Sequence, residues 1–232
     1  MTFHEGNRSR TMRIGILGTG QMAAALGGAW VQAGHEVMVG GRDAAAAAGT
    51  AAGIGAAGHG SLAEAAGYGE AVLVAVPAEA APRLTKELAS VLAGRTVLDC
   101  TVPMVPGADG PAITTAGGTD SVAVRLAEAA PDARVAKVFG ICHESVWTLR
   151  RPAFEGAPLA VPFCTDTPAA AAVVAELITS MGCTPLPCGG LDRAALLEGA
   201  AVFAVGVWWS GGETRHVFPA PALALGAVDD EP

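Results

Sequence analysis

Short apolar runs alternate along the chain with longer Ala-rich stretches whose polar residues recur at helical spacing. The runs at 13–17, 36–39, 71–76, 96–99, 134–139, 159–163 and 183–187 are brief and continuous, which predicts strands buried on both faces. The stretches at 21–33, 43–53, 61–67, 78–92, 120–129, 143–150, 168–181 and 192–209 predict helices. Such alternation is that of an α/β fold, a Rossmann-type doubly wound parallel sheet. Two helix starts are legible: Ser61 stands three residues before Glu64, a capping-box spacing, and Thr167 precedes Pro168. Residues 101–118 (TVPMVPGADGPAITTAGG) are dense in Pro and Gly and predict a loop leaving the carboxyl end of a strand, where open α/β sheets bind ligands.

The pattern divides the chain into a flexible extension at 1–11, a nucleotide-binding domain at 12–190, and a helical extension with an acidic tail at 191–232. The helix at 192–209 (DRAALLEGAAVFAVGVWW) is apolar almost all round in its second half, so it is expected to bury against a partner subunit as well as its own sheet. A homo-oligomer follows as the expectation.

Composition narrows the function. Hydrophobic residues make up 51% and charged residues 16%, which excludes a largely disordered chain. A formal charge of −8 with 14 Lys and Arg argues against nucleic acid as a partner, because phosphate neutralisation needs a basic face. Five cysteines form no CxxC pair and read as reduced, mostly buried thiols, with no metal site. Without a long apolar span or a signal-peptide core, the expected setting is soluble and cytoplasmic, away from membranes.

The chemistry enters at residues 13–26 (RIGILGTGQMAAAL), where a strand runs into Gly18-Thr19-Gly20-Gln21-Met22-Ala23 and at once into a helix. This GxGxxA turn suits a dinucleotide: Gly18 permits the bend, Gly20 lets the backbone approach a pyrophosphate, and Ala23 allows helix and strand to pack closely. The helix amino terminus then offers free N–H donors to phosphate. At the end of the second strand, where NAD-binding proteins carry an acid for the ribose hydroxyl, this chain has Gly40-Gly41-Arg42. A guanidinium there suits a 2′-phosphate, so the expected cofactor is NADP(H).

Together with VLVAVP at 72–77, GRTVLDCT at 94–101, RVAKVFG at 134–140 and VPFCTDTPAAAAVVAELITSMG at 161–182, these motifs make the chain resemble the NADP oxidoreductase, coenzyme F420-dependent family over roughly residues 12 to 200. The resemblance implies a hydride passed between NADP(H) and coenzyme F420, an 8-hydroxy-5-deazaflavin. It also implies Thr19, Gln21 and Met22 against the pyrophosphate, Gly41 and Arg42 at the 2′-phosphate, and Ala75, Val76 and Pro77 beside the nicotinamide. The chain departs from that pattern at Gly140, where the family often has Asn or His, and at Asp99-Cys100-Thr101-Val102-Pro103, the turn after the strand at 96–99.

Hydride transfer between two ring cofactors needs orientation more than acid or base. A ketone or imine acceptor would need a proton, for which His143 is the candidate catalytic residue. Pro103, Gly140 and Trp147 are the candidate substrate contacts. Trp208 and Trp209 could extend an aromatic wall with Trp147, and Arg150-Arg151 could meet a polyanionic tail; a surface or packing role is the alternative for each. Three functions stay open: F420-linked hydride transfer, reduction of a small C=N or C=O substrate, and NADP(H) sensing without turnover.

Overall fold

The computed structural model describes residues 10–116 and 118–217. The first half runs β1 (Arg13–Leu17), α1 (Gln21–Gln32), β2 (Glu36–Gly40), α2 (Ala44–Ile54), β3 (Gly58–Gly60), α3 (Leu62–Tyr68), β4 (Ala71–Val74), α4 (Ala81–Glu87), α5 (Ala89–Leu92) and β5 (Thr96–Asp99). The second half runs β6 (Met104–Gly107), β7 (Gly110–Ile113), α6 (Val122–Ala129), β8 (Arg134–Val138), α7 (Glu144–Trp147), β9 (Ala153–Phe154), β10 (Ala157–Pro158), β11 (Ala160–Thr165), α8 (Pro168–Ser180), β12 (Thr184–Pro187), α9 (Ala194–Trp209) and α10 (Thr214–Val217).

Eight strands form one sheet in the order β12-β11-β8-β5-β4-β1-β2-β3. β1, β4, β5 and β8 are buried along almost their whole length. Each fully buried Val, Leu or Ile contributes about 1.5–3 kcal/mol, which is why these continuous apolar runs form the centre of a sheet covered on both faces. The cluster on one face includes Ile14, Ile16, Leu26, Trp30 and Leu98, and that on the other Leu17, Val72, Val74, Val97 and Leu126. The expected Rossmann-type sheet is present, and the chain leaves β1 for β2 on one side while β4 and β5 build the other.

Several expectations are corrected. β11 pairs antiparallel to β8, and β12 runs with β11, so the sheet is not wholly parallel. A parallel return is usually made through a crossover helix laid on the sheet, whereas 139–159 holds only the four-residue α7 and the β9–β10 hairpin. β12 is an exposed edge strand rather than one buried on both faces. The loop expected at 101–118 contains the β6–β7 hairpin, which pairs Pro106 with Pro111. A two-stranded ribbon has only edges, so proline forfeits little there. The helix expected at 78–92 begins at Ala81, with Pro82 in its first turn, and breaks at Leu88 into α4 and α5. The Ser61–Glu64 capping box and the Thr167 cap are both formed.

Residues 1–9 of the expected extension and the acidic tail at 226–232 lie outside the described residues. Arg10, by contrast, is tied to Glu70 at 2.7 Å. All five cysteines are free; Cys100, Cys164 and Cys183 are buried. Among the described residues no helix is long and apolar enough to cross a membrane.

Candidate active site

Three turns at the carboxyl ends of β1, β2 and β4 meet. Gly18 has φ +131°, and a Cβ there would stand 2.2 Å from the Ala75 carbonyl oxygen, so the bend requires glycine. Its N–H donates to Gly40 O at 2.9 Å, while Ala75 N–H donates to Leu17 O at 2.9 Å. A Cβ on Gly41 would lie 2.8 Å from Thr19 Cγ2, and Thr50 Oγ1 donates to the Thr19 carbonyl at 3.2 Å. The structure thus brings together Gly18, Thr19, Gly20, Gly41 and Ala75, with Gln21, Met22, Arg42, Val76 and Pro77 next along the chain.

Gly20 is the N-cap of α1 and supplies no side-chain cap, the first turn holds no acid, and a Cβ at Gly20 would meet nothing within 4 Å. The helix therefore presents unfilled N–H donors and its positive end to open space, which fits a pyrophosphate. Ala23 is fully buried, as close helix–strand packing requires. Asp43 is committed as the cap of α2, accepting from Ala45 N–H and Ala46 N–H at 2.8 and 3.1 Å. Arg42 is exposed and has no ion pair among the described residues. Its guanidinium is available to an anion such as a 2′-phosphate.

On the other side of β4 the sheet carries a second feature. Asp99 on β5 and Lys137 on β8 are register partners, and Lys137 Nζ lies 2.9 Å from Asp99 Oδ2 and 2.9 Å from Oε1 of Glu198 on α9. All three side chains are buried to 2% exposure or less. Lys137 also donates to the Thr101 carbonyl at 2.5 Å. Asp99 Oδ1 accepts from Thr101 N–H and Thr101 Oγ1, and Glu198 Oε1 accepts from Val122 N–H at 2.9 Å. Among the described residues Glu198 Oε2 has no hydrogen-bond partner. Burial lowers the Lys137 ammonium, but the Asp99 and Glu198 carboxyl groups outweigh it and hold it above its ordinary value. Burial pushes the Glu198 carboxyl up, against the pull of Lys137.

Lys137 and Glu198 are the charged residues among those lining a cavity of about 130 Å³, whose walls also include Val102, Gly140, Cys142, Trp147 and Leu197. Phe139, at φ +67°, turns the chain out of β8 so that 140–142 reach this wall. Its ring is wedged edge-on between Trp30 and Trp147, at centroid distances of 5.7 and 5.2 Å. The Cys142 thiol is pushed up to about 11 by burial, which keeps it neutral and unreactive.

Of the sequence-predicted substrate contacts, Gly140 and Trp147 line this cavity. Pro103 is buried just outside it, its carbonyl accepting from Thr114 N–H at the root of the β6–β7 hairpin. His143 is off the wall: its side chain is 60% exposed, Nδ1 accepts from Ser145 N–H as the cap of α7, and Nε2 lies 3.3 Å from Glu144. Trp147 is buried whereas Trp208 and Trp209 are exposed at the end of α9, so the three make no single wall. Arg150 and Arg151 border a surface cleft with Ser180 and Met181. Sequence reading missed the Asp99–Lys137–Glu198 cluster. Its signal was present: a lone acid and a lone lysine inside otherwise apolar strands, and a lone glutamate in an apolar helix.

Residues 13–103 match the family described as NADP oxidoreductase coenzyme F420-dependent. Over these residues the chain is similar to that family. It is an NADP-dependent oxidoreductase, and the resemblance read from the motifs holds where the match extends. A presumptive F420-dependent NADP reductase from Arthrobacter sp. FB24 is 26% identical, with 87% of this chain and 96% of that one covered and a TM-score of 0.74. A hypothetical protein from Sinorhizobium meliloti is 23% identical, covering 82% and 90%, with a TM-score of 0.68. A reductive aminase from Aspergillus terreus, solved with NADPH and ethyl-5-oxohexanoate, is 19% identical, covering 87% and 64%, with a TM-score of 0.61. The last two are likenesses of fold. No curated protein matches the chain.

Proposed function

We propose that the protein transfers a hydride between NADP(H) and coenzyme F420. The pyrophosphate rests on Gly18, Thr19, Gly20, Gln21 and Met22, the 2′-phosphate on Gly41 and Arg42, and the nicotinamide beside Ala75, Val76 and Pro77. The observation that carries this reading is the meeting of three turns around an uncapped helix end, with an exposed arginine at the adenosine side. NADP(H), when bound, supplies or accepts the hydride. The chain's part is to hold both rings in register and to keep water from the transfer. The family match and the Arthrobacter relative support F420 as the second partner.

The test is direct. Purified protein is titrated with NADPH and NADH, and turnover is then followed as the absorbance of NADPH and F420 changes together. Binding of NADPH at least tenfold tighter than NADH, with coupled absorbance changes, is expected. Saturable binding without turnover on any acceptor would leave an NADP(H)-sensing module.

A second reading, reduction of a small C=N or C=O group, is favoured by the cavity beside β8. An apolar cavity of 150 Å³ holds a benzene-sized guest, so the 130 Å³ here suits a single ring rather than a fused tricycle. Gly140 and Trp147 would contact that guest, with Pro103 bracing the loop and His143 or a group on the wall giving a proton. The exposed face of α9, with Leu196, Phe203, Trp208 and Trp209, supports a homo-oligomer. The free thiols support a cytoplasmic setting.

A further inference from the structure

We propose that Glu198 is the proton donor of this site, holding its proton on the unpartnered Oε2 and giving it to the heteroatom of a small, apolar ketone or imine seated in the cavity. The inference rests on the second reading above.

The charge count of the cluster leads to it. Lys137 stands between two buried carboxyl groups, and ionising both would leave a net negative charge among side chains exposed to 2% or less. One group must keep its proton. Asp99 receives three donors, Thr101 N–H, Thr101 Oγ1 and Lys137 Nζ, and so has the environment of a carboxylate. Among the described residues Glu198 receives two, both on Oε1, and Oε2 receives none. The proton belongs on Oε2, where it has no acceptor among the described residues. Glu198 is among the residues lining the cavity, and because Oε2 is buried at rest, a guest's lone pair reaches it and completes its bonding as the wall shifts to admit it.

The place suits the reaction. Thr101 and Val102, which form one side of the cavity, follow β5, and β5 is the direct neighbour of β4, beyond whose end the nicotinamide is assigned. In the step, NADPH is oxidised to NADP+ as its hydride goes to the carbon of the C=O or C=N bond. The π pair of that bond takes the proton from Glu198 Oε2, giving an alcohol or amine and leaving a Glu198 carboxylate. Lys137 Nζ, 2.9 Å from Oε1, balances the new charge until a proton returns from solvent. The other titratable groups facing Glu198 are Asp99 on β5 and, at longer range, Arg125 on α6. Cys142 on the cavity wall stays a thiol.

The test begins on ligand-free protein, with infrared difference spectra of wild type minus E198Q at pH 7. The carbonyl band of a protonated carboxyl is expected in wild type and not in the variant; carboxylate bands alone would overturn the proposal. Should E198Q fail to fold, ¹³C-glutamate labelling of wild type gives the same answer, because it moves a glutamic but not an aspartic band. Cyclohexanone is then used as the probe. Its carbonyl stretch is expected to fall on binding to wild type, and an unshifted stretch would overturn the proposal. With NADPH and cyclohexanone, E198Q keeps both Oε1 contacts and an N–H donor toward the guest. KM should therefore stay within about threefold while kcat falls about 100-fold or more, the range of general acid catalysis; equal kcat values would overturn it. NADPH affinity, measured separately by tryptophan quenching, decides the nucleotide reading on its own. Lost NADPH binding with an intact carboxyl band defeats that reading, whereas intact binding with no band defeats this one.

Discussion

The two sides of the sheet hold their ligands by different means. The β1–β2–β4 side works with backbone: a bend that only glycine fits, helix N–H groups and one exposed arginine, most of them within 13–42. The β5–β8 side works with side chains brought from residues 99, 137 and 198, which are far apart in the chain and adjacent only once the sheet has formed. The first depends on what is absent, Cβ atoms and caps. The second depends on buried charges that balance one another. Substitutions should therefore act on the first side mainly through nucleotide binding and on the second through stability or, at Glu198, through turnover.

The largest expected effect is on the side-chain half. Lys137→Met leaves Asp99 buried without its counter-charge, and breaking a buried pair in this way costs about 3–5 kcal/mol. Denaturant melts should show a loss of that size, and a loss below about 1 kcal/mol would mean that the cluster is not a structural unit. Next comes Gly18→Ala, whose Cβ meets a backbone oxygen at a φ that L residues avoid. Backbone strain of this kind costs about 1–3 kcal/mol, and the displaced turn should abolish measurable NADPH binding. If Gly18→Ala binds NADPH normally, the turn is not the pyrophosphate site.

Arg42→Ala separates binding from stability on the backbone half. A hydrogen bond to a charged group is worth about 1.5–3 kcal/mol, so NADPH affinity should fall about 10- to 150-fold, with NADH affinity and the melting midpoint unchanged. An equal loss for both nucleotides would place the arginine elsewhere than at the 2′-phosphate.

The difference between the halves also explains what could be read from the chain alone. β1, the turn at Gly18 to Ala23, Arg42 and the caps at Ser61 and Thr167 are local, each written within a few neighbouring residues, and they were legible. Asp99, Lys137 and Glu198 were not, because no local pattern says that the lone charges of two strands share a register or that a helix some sixty residues later completes them. The reversal of β11 and the β6–β7 hairpin were missed for related reasons. One turns on the lack of a crossover helix, and the other sets proline where an edge tolerates it.

A smaller effect concerns pH. Burial raises the Glu198 carboxyl in the folded state from its ordinary 4.5, so the stability linked to it is full below that value and is lost as pH rises through the folded value. E198Q removes the titrating group. Its stability should gain on wild type as pH rises above about 5, the range in which an unfolded glutamate has lost its proton. Parallel curves for the two proteins across that range would mean that Glu198 is ionised throughout.

The smallest effect is expected at His143, and it sharpens the contrast most. Its Nδ1 holds the first turn of α7 and its ring is largely solvated, so His143→Ala removes a cap from a four-residue helix. Cap losses run about 0.5–2 kcal/mol, and so short a helix should lie at the low end. With the proton on Glu198, kcat for a small carbonyl should change by less than about threefold, because His143 lies off the cavity wall. A fall of about 100-fold at unchanged stability, the scale of a lost general acid, would move the proton donor to His143. It would also mean that both halves of the sheet present their chemistry from exposed loops, and the division between backbone and buried side chains would no longer hold.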